Sequence, residues 1–495
     1  MVSYFKKHPH YLILILILLI GLFFRTYQIV ERFQFAHDDD LYSWIVKDIV
    51  LDHHLRLIGQ LTSAPGIFIG PLYYYLLIPF FLLTNMDPIG ATIPITIVGI
   101  LTIVSYYLVF SKLFNKKVGL IASFLYAVLL TNINFDRRVV PSTLTNLWVV
   151  WYFYTILMIA RGKFLVLPAL GVLIGLIWHI HIALIPTISA IPMAFMVSKK
   201  LPNVKQLLLF LLSLFISSLP LIAFELRHGF SQTFSLINNF SSEHGGGAGL
   251  SKLFNVLNMI TKNINSLFLS PQSLPMPLKP AFVILLFSST LIVAFFNKLI
   301  SKIELMPLFF WILSVIGFFT ISSSLISEYY FYSIEIIFMT FVSLTLYIIF
   351  KSQVFGKILV LGLLTLLLIK NLYFYTTGDF YHKGYVEKRA VVDFIKQAAK
   401  QKGFPCIGIT YITTPGENVG FRYFFYLNNM HLVHPAKEVP VYNIVIPEEL
   451  SKEVKIKFAH IGVIPPAEIP SKEIINKSCS QPNSNLSDPM FGFVK

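Results

Sequence analysis

The sequence predicts an all-α polytopic membrane protein that ends in a small α/β domain, and three observations carry that reading. Of its 495 residues 56% are hydrophobic and only 13% are charged, about half the roughly one-quarter usual in a soluble domain. Mean hydropathy is +0.72. Apolar runs of 15 to 23 residues recur along most of the chain, each close to the roughly 20 residues that a helix needs to cross a hydrocarbon core. A soluble enzyme is excluded. The excess of 39 Lys and Arg over 24 Asp and Glu lies largely in short gaps between the apolar runs, which reads as membrane topology and not as a nucleic-acid partner. Two cysteines in the whole chain exclude a disulfide scaffold and a Cys-based zinc site.

The apolar segments fall at 10–30, 67–84, 88–110, 118–134, 143–160, 164–178, 181–197, 206–224, 280–297, 306–325, 329–350 and 354–372. The first, Tyr11 to Phe24, follows Lys6 and Lys7 as a signal peptide would, but Arg25-Thr26-Tyr27-Gln28 offers no small-residue cleavage site, so it is expected to be a retained span. Short basic loops belong in the cytoplasm. The richest hold Lys6/Lys7, Lys112/Lys116/Lys117, Arg161/Lys163, Lys199/Lys200/Lys205, Lys298/Lys302 and Lys351/Lys357. All six share one side only if 67–84 does not cross. That segment carries Pro71 and Pro79 and the aromatic cluster Tyr73, Tyr74 and Tyr75, which suits an outer juxtamembrane helix. About eleven spans then place the N-terminus in the cytoplasm and leave 31–87, 225–279 and 373–495 outside, in a multi-pass plasma-membrane protein. Twelve spans with a cytoplasmic tail is the alternative. Between Arg161-Gly162-Lys163 and Lys199 lie 35 residues, so two short spans must turn near His179-Ile180-His181.

Just beyond the first span stands Phe35-Ala36-His37-Asp38-Asp39-Asp40. Carboxylates at a membrane boundary are costly and usually functional when they face a cavity. They could hold a divalent metal, given further oxygen ligands, or supply a general base. They could equally open an amphipathic helix, where Asp suits the cap and the dipole. Further charged groups follow at span ends: Asp136, Arg137 and Arg138; His179 and His181; Glu225, Arg227 and His228; and Glu328 before Tyr329 and Tyr330. Arginines there either snorkel to headgroups or pair with a phosphate. The His pair lacks further ligands for a metal, and Gly245-Gly246-Gly247 after Glu243-His244 reads as a flexible tip.

The order of these motifs resembles the GT-C membrane glycosyltransferases of the protein O-mannosyltransferase and aminoarabinose transferase superfamily (glycosyltransferase family 39-like). It comprises the acidic motif after the first span, Ser63-Ala64-Pro65-Gly66, Gly70-Pro71-Leu72-Tyr73-Tyr74-Tyr75, Phe135-Asp136-Arg137-Arg138, His179-x-His181, Phe224-Glu225-Leu226-Arg227-His228 and Glu328-Tyr329-Tyr330-Phe331. It spans residues 10–370. The resemblance implies a GT-C fold with a juxtamembrane helix in the first outer loop, a polyprenyl-phosphate-linked sugar as donor, an extracytoplasmic acceptor and an inverting transfer. It aligns Asp38 with the catalytic carboxylate, a register that Asp39 or Asp40 could claim by a shift of one residue, and makes Asp38 and Asp39 the catalytic candidates. It assigns Tyr74, Asp136, Arg137, Arg138, His181, Glu225, Arg227, His228, Glu328 and Tyr330 to substrate binding. Arginines can stabilise a phosphate leaving group, so no cofactor is required; Asp38–Asp40 leave a divalent metal open.

Two domains are expected: a transmembrane glycosyltransferase domain, 1–375, and an extracytoplasmic α/β domain, 376–495. In the second, Lys388 to Lys402 reads as an amphipathic helix, and 404–411 and 441–446 read as strands with an aromatic helix or strand at 421–426 between them. Cys406 and Cys479 could form a disulfide there, since such bonds persist outside the cytoplasm. The rival class is a secondary transporter or lipid-linked sugar flippase, for which inverted repeats and midmembrane charge would be expected; neither is seen. A polymer ligase using a diphosphate-linked donor shares the topology.

Overall fold

The computed structural model describes residues 8–62, 64–241, 249–268, 289–290, 292–322, 325–380, 382–414 and 416–487. Ser63, the Glu243–Gly247 tip and most of the expected span at 280–297 lie outside the described residues.

Among the described residues seven helices are long and apolar enough to cross a membrane: Pro9–Thr26, Pro88–Leu113, Pro141–Ala160, Val204–Arg227, Lys302–Ile321, Glu328–Lys351 and Val354–Thr377. A further pair, Lys116–Val128 and Leu130–Asp136, is bent by 67° at Leu129. Two shorter apolar helices, Phe164–Ile180 and Ile182–Ser198, form the short hairpin that the basic loops demanded. These elements occupy ten of the eleven expected spans, and the eleventh is 280–297. The helix Leu72–Leu83 has 12 residues. At 1.5 Å per residue it rises about 18 Å, well short of a hydrocarbon core of about 30 Å, so it cannot cross alone.

The chain divides into two compact units. The first gathers 1–26, 56–73 and 95–378. In it the first spanning helix packs on Lys116–Val128, and Leu167–Ile180 packs along Val204–Arg227. The second contact is close because Gly171 and Gly175 face Ser213 and Ser217: a Cβ at Gly175 would sit 2.0 Å from Ser217 Oγ. Small residues one turn apart are what let membrane helices approach.

The second unit gathers 27–55, 74–94 and 379–495. Its sheet has the order β1-β2-β4-β3, from Gly408–Thr413 (β1), Val441–Ile446 (β2), Ile456–Phe458 (β3) and Ile461–Ile464 (β4). β1 and β2 are parallel and the other pairs antiparallel. The helix Tyr385–Lys402 buries Val391, Val392 and Ile395, the apolar stripe its sequence spacing announced. The aromatic segment is helical, Arg422–Leu427. Cys406 and Cys479 form a disulfide against Val433 and Val439.

Candidate active site

In the second unit the three carboxylates open the helix His37–Leu51. Successive helical residues point about 100° apart, so the three side chains meet three environments. Asp39 turns back on the helix start, its Oδ2 accepting from Ala36 N–H at 2.8 Å; it satisfies one of the donors that a helix N-terminus leaves open. Asp40 is buried, 2% exposed, and its Oδ1 has no hydrogen-bond partner among the described residues. Asp38 is 46% exposed, its Oδ1 3.4 Å from His37 Nδ1. Of the three it alone combines solvent access with freedom from a structural hydrogen bond to the backbone. Tyr74 packs in the same unit, its ring 5.5 Å from Tyr42.

Burial pushes Asp39 up to about 7, with the charge of Asp38 adding to the rise and the Ala36 N–H opposing it. Burial likewise raises Asp40 to about 6, against the opposing charges of Lys388 and Arg422. The hydrogen bond to Asp38 raises His37. Lys388, which sequence reasoning placed only in an amphipathic helix, is 2% exposed and is lowered to about 8 by burial, which outweighs the attraction of Asp40 and Asp39. For the raised groups the folded state holds protons more tightly than the unfolded chain. Their contribution to stability is therefore present at low pH and is lost as pH rises through about 6 for Asp40 and about 7 for Asp39; His37 has the same sign. Lys388 acts oppositely, losing its contribution as pH falls through about 8, mostly above that window. The thermal midpoint of the detergent-purified protein is expected to fall between about pH 5 and about pH 7, and Asp40→Asn should flatten that slope.

In the first unit the sequence-predicted residues separate into buried and exposed groups. Asp136 is buried and accepts from Arg25 Nε at 2.9 Å and from the Tyr126 hydroxyl at 2.7 Å. It is thereby the counter-ion of an arginine in the first span, 111 residues away, and not the side-by-side partner of its neighbours. Arg137 donates to Phe24 O at 3.1 Å. Arg138 is exposed, its carbonyl accepting from Thr143 Oγ1 at 2.5 Å. Glu225 is buried and caps the helix Ser231–Ser241, accepting from Gln232 and Thr233 N–H, both at 3.1 Å. Arg227 and His228 are exposed, and the His228 ring stacks on Phe224 at 4.1 Å.

His181 and Tyr330 come together, rings 5.2 Å apart, with Tyr329 at the same distance from the imidazole. His181 also caps the following turn, its Nδ1 accepting from Ala183 N–H at 3.1 Å. Glu328 pairs with Lys262 and its carbonyl accepts from Asn263 Nδ2 at 2.8 Å. His179 is a tie: Nδ1 accepts from Leu72 N–H at 3.3 Å and Nε2–H donates to Ser217 O at 3.1 Å. The two histidines therefore serve different neighbours, and among the described residues no group of three or more His, Cys, Asp or Glu is arranged to hold a metal ion. Sequence reasoning missed Arg25, Lys262 and Lys388. An arginine in the last turn of an apolar span was the available signal for the first, because a charge there requires a partner.

No family model matches the sequence, and no curated protein matches it. Solved structures do. ArnT from Cupriavidus metallidurans, in a crystal structure bound to undecaprenyl phosphate, is similar over 92% of this chain and 98% of its own at 10% identity, with a TM-score of 0.57. The Archaeoglobus fulgidus oligosaccharyltransferase AglB, in complex with an inhibitory peptide and a dolichol-phosphate, is similar over 90% of this chain and 70% of its own at 13% identity, with a TM-score of 0.50. Both are membrane glycosyltransferases of one architecture, and the resemblance drawn from the ordered motifs is borne out in the fold: this chain has the GT-C fold.

Proposed function

We propose that the protein is an integral membrane glycosyltransferase that moves a sugar from a polyprenyl-phosphate carrier to an extracytoplasmic acceptor, inverting the anomeric centre. One observation carries the reading: a half-exposed carboxylate, Asp38, stands in the first turn of the acidic helix of a chain with the GT-C fold. A donor of this class keeps its tail in lipid and its phosphate at the headgroups, so charged groups clustered at span ends suit it. In the proposed step Asp38 takes the acceptor's proton as its oxygen attacks the anomeric carbon. The bond from that carbon to the phosphate oxygen breaks, and the electron pair leaves with polyprenyl phosphate. Exposed Arg138, Arg227 and His228 are assigned the phosphate, and the part-exposed His181 and Glu328 the sugar or acceptor; Tyr74 and Tyr330, which the sequence offered for substrate binding, are buried and are assigned to packing. Asp39, the second catalytic candidate of the sequence, is assigned to closing the start of the helix that carries Asp38. Arg137, Asp136 and Glu225 are assigned to holding those groups in place. The step requires no divalent metal, because arginines can stabilise the departing phosphate.

Incubation of the purified protein with phosphate- and diphosphate-linked polyprenyl sugars and crude envelope acceptors tests the reading. Free polyprenyl phosphate is expected from the first donor set. Product from diphosphate donors alone would make it a polymer ligase, and unmodified donor crossing the bilayer of vesicles would make it a flippase.

We assign the N-terminus to the cytoplasm and the C-terminal part of the chain to the outside of the plasma membrane. The basic loops support this, as does the Cys406–Cys479 disulfide, since such bonds persist in oxidising compartments. A cysteine replacing Asn115 should react with an impermeant maleimide only after permeabilisation, and one replacing exposed Lys437 without it. The reverse pattern would invert the topology.

A further inference from the structure

The turn that leads into the acidic helix is gripped by the C-terminal part of the chain. Tyr385 N–H donates to Phe33 O at 2.9 Å, and Lys388 Nζ donates to Phe35 O at 2.8 Å. Phe33 stacks on Tyr385 with centroids 5.7 Å apart, and Phe35 lies 4.7 Å from Phe424. Phe35 has a φ of +42°, a left-handed conformation that an aromatic side chain adopts only where its surroundings hold it. Lys388 is 2% exposed, and a buried ammonium is costly unless it is partnered. Gly420, at φ +89°, lets the chain pass this point: a Cβ there would lie 2.9 Å from Lys388 Nζ and 3.0 Å from Phe35 O. Only Ala36 and His37 separate the clamped carbonyl from Asp38.

We propose that Lys388 is a positioning residue: by holding the Phe35 carbonyl it fixes where the acidic helix begins and so the direction in which Asp38 presents its carboxylate. The inference rests on the reading of Asp38 as the base. Lys388 touches no substrate in it and acts through the backbone of Phe35. The geometry also gives the C-terminal part of the chain a share in the chemistry that its sequence did not announce.

Lys388→Met, close in length but without charge or donor, and Lys388→Arg, which keeps both, are to be compared with wild type in two readouts on the same samples. Steady-state polyprenyl phosphate release should show kcat lower by about 10- to 100-fold in Lys388→Met, donor KM within about twofold and recovery of most of the rate in Lys388→Arg. Hydrogen exchange should rise in residues 33–41 while that of β1 and β2 is unchanged. Unchanged exchange in 33–41, or raised exchange there with an unchanged kcat, would overturn the proposal. So would exchange raised throughout the sheet, which would make Lys388 a folding residue. Where Lys388→Met proves too unstable to purify, Gly420→Ala, which presses on the same Nζ and carbonyl without removing charge, is held to the same outcomes. Wild type that releases nothing from any donor would instead sink the functional reading, and exchange in 33–41 separates the two failures.

Discussion

Asp38→Asn is expected to lower turnover by about 100-fold or more while leaving yield, thermal midpoint and donor KM close to wild type. Asparagine has the same shape but cannot take a proton, so the variant removes the base and little else. The structural part of that expectation follows from the division of labour in the acidic turn. Asp39 closes the helix start through Ala36 and Asp40 is buried. Asp38 is half-exposed and meets only the half-exposed His37 at 3.4 Å, and solvated pairs of that kind contribute little to stability. A loss below about 10-fold would remove Asp38 from the base's role. A variant that fails to fold would make the whole cluster structural.

The second large effect concerns Asp136. Its carboxylate accepts from Arg25 and Tyr126 inside the first unit, and Arg25 also donates to Gly21 O and Ala127 O. Removing one partner of a buried pair strands the other, which costs about 3–5 kcal/mol. Asp136→Ala should therefore lower the detergent unfolding midpoint sharply and reduce the yield of monodisperse protein. Replacing both charges, Arg25→Met with Asp136→Leu, should restore most of it, because an apolar pair of similar volume is often as stable as a buried ion pair. Asp136→Ala that folds like wild type yet loses activity would return Asp136 to the substrate.

The contrast between these two aspartates marks what the sequence could reveal. Spans were legible because each is a local property of about 20 residues, and even the short hairpin 164–198 followed from its two apolar runs together with the basic loops that flank them. The acidic motif and the helix Tyr385–Lys402 were legible for the same local reason. Pairings were not: Arg25 meets Asp136 111 residues on, and Lys388 reaches Phe35 across 353, distances over which periodicity carries no information. Nor did spacing distinguish Asp38 from Asp39 and Asp40, whose environments differ only once the turn at Phe35 and the packing around Lys388 exist. Residues 225–279 read as a long loop, yet they contain the helices Ser231–Ser241 and Leu250–Phe268. Their polar residues broke the long apolar runs by which helices elsewhere in the chain were recognised.

The central claim is the transfer itself, and its most direct test is stoichiometry. The purified protein, a polyprenyl-phosphate sugar labelled in the sugar, and envelope acceptors should yield one free polyprenyl phosphate for each labelled sugar that becomes acceptor-linked. Label that stays on the lipid while crossing the bilayer, or appears as free sugar without acceptor product, would contradict it.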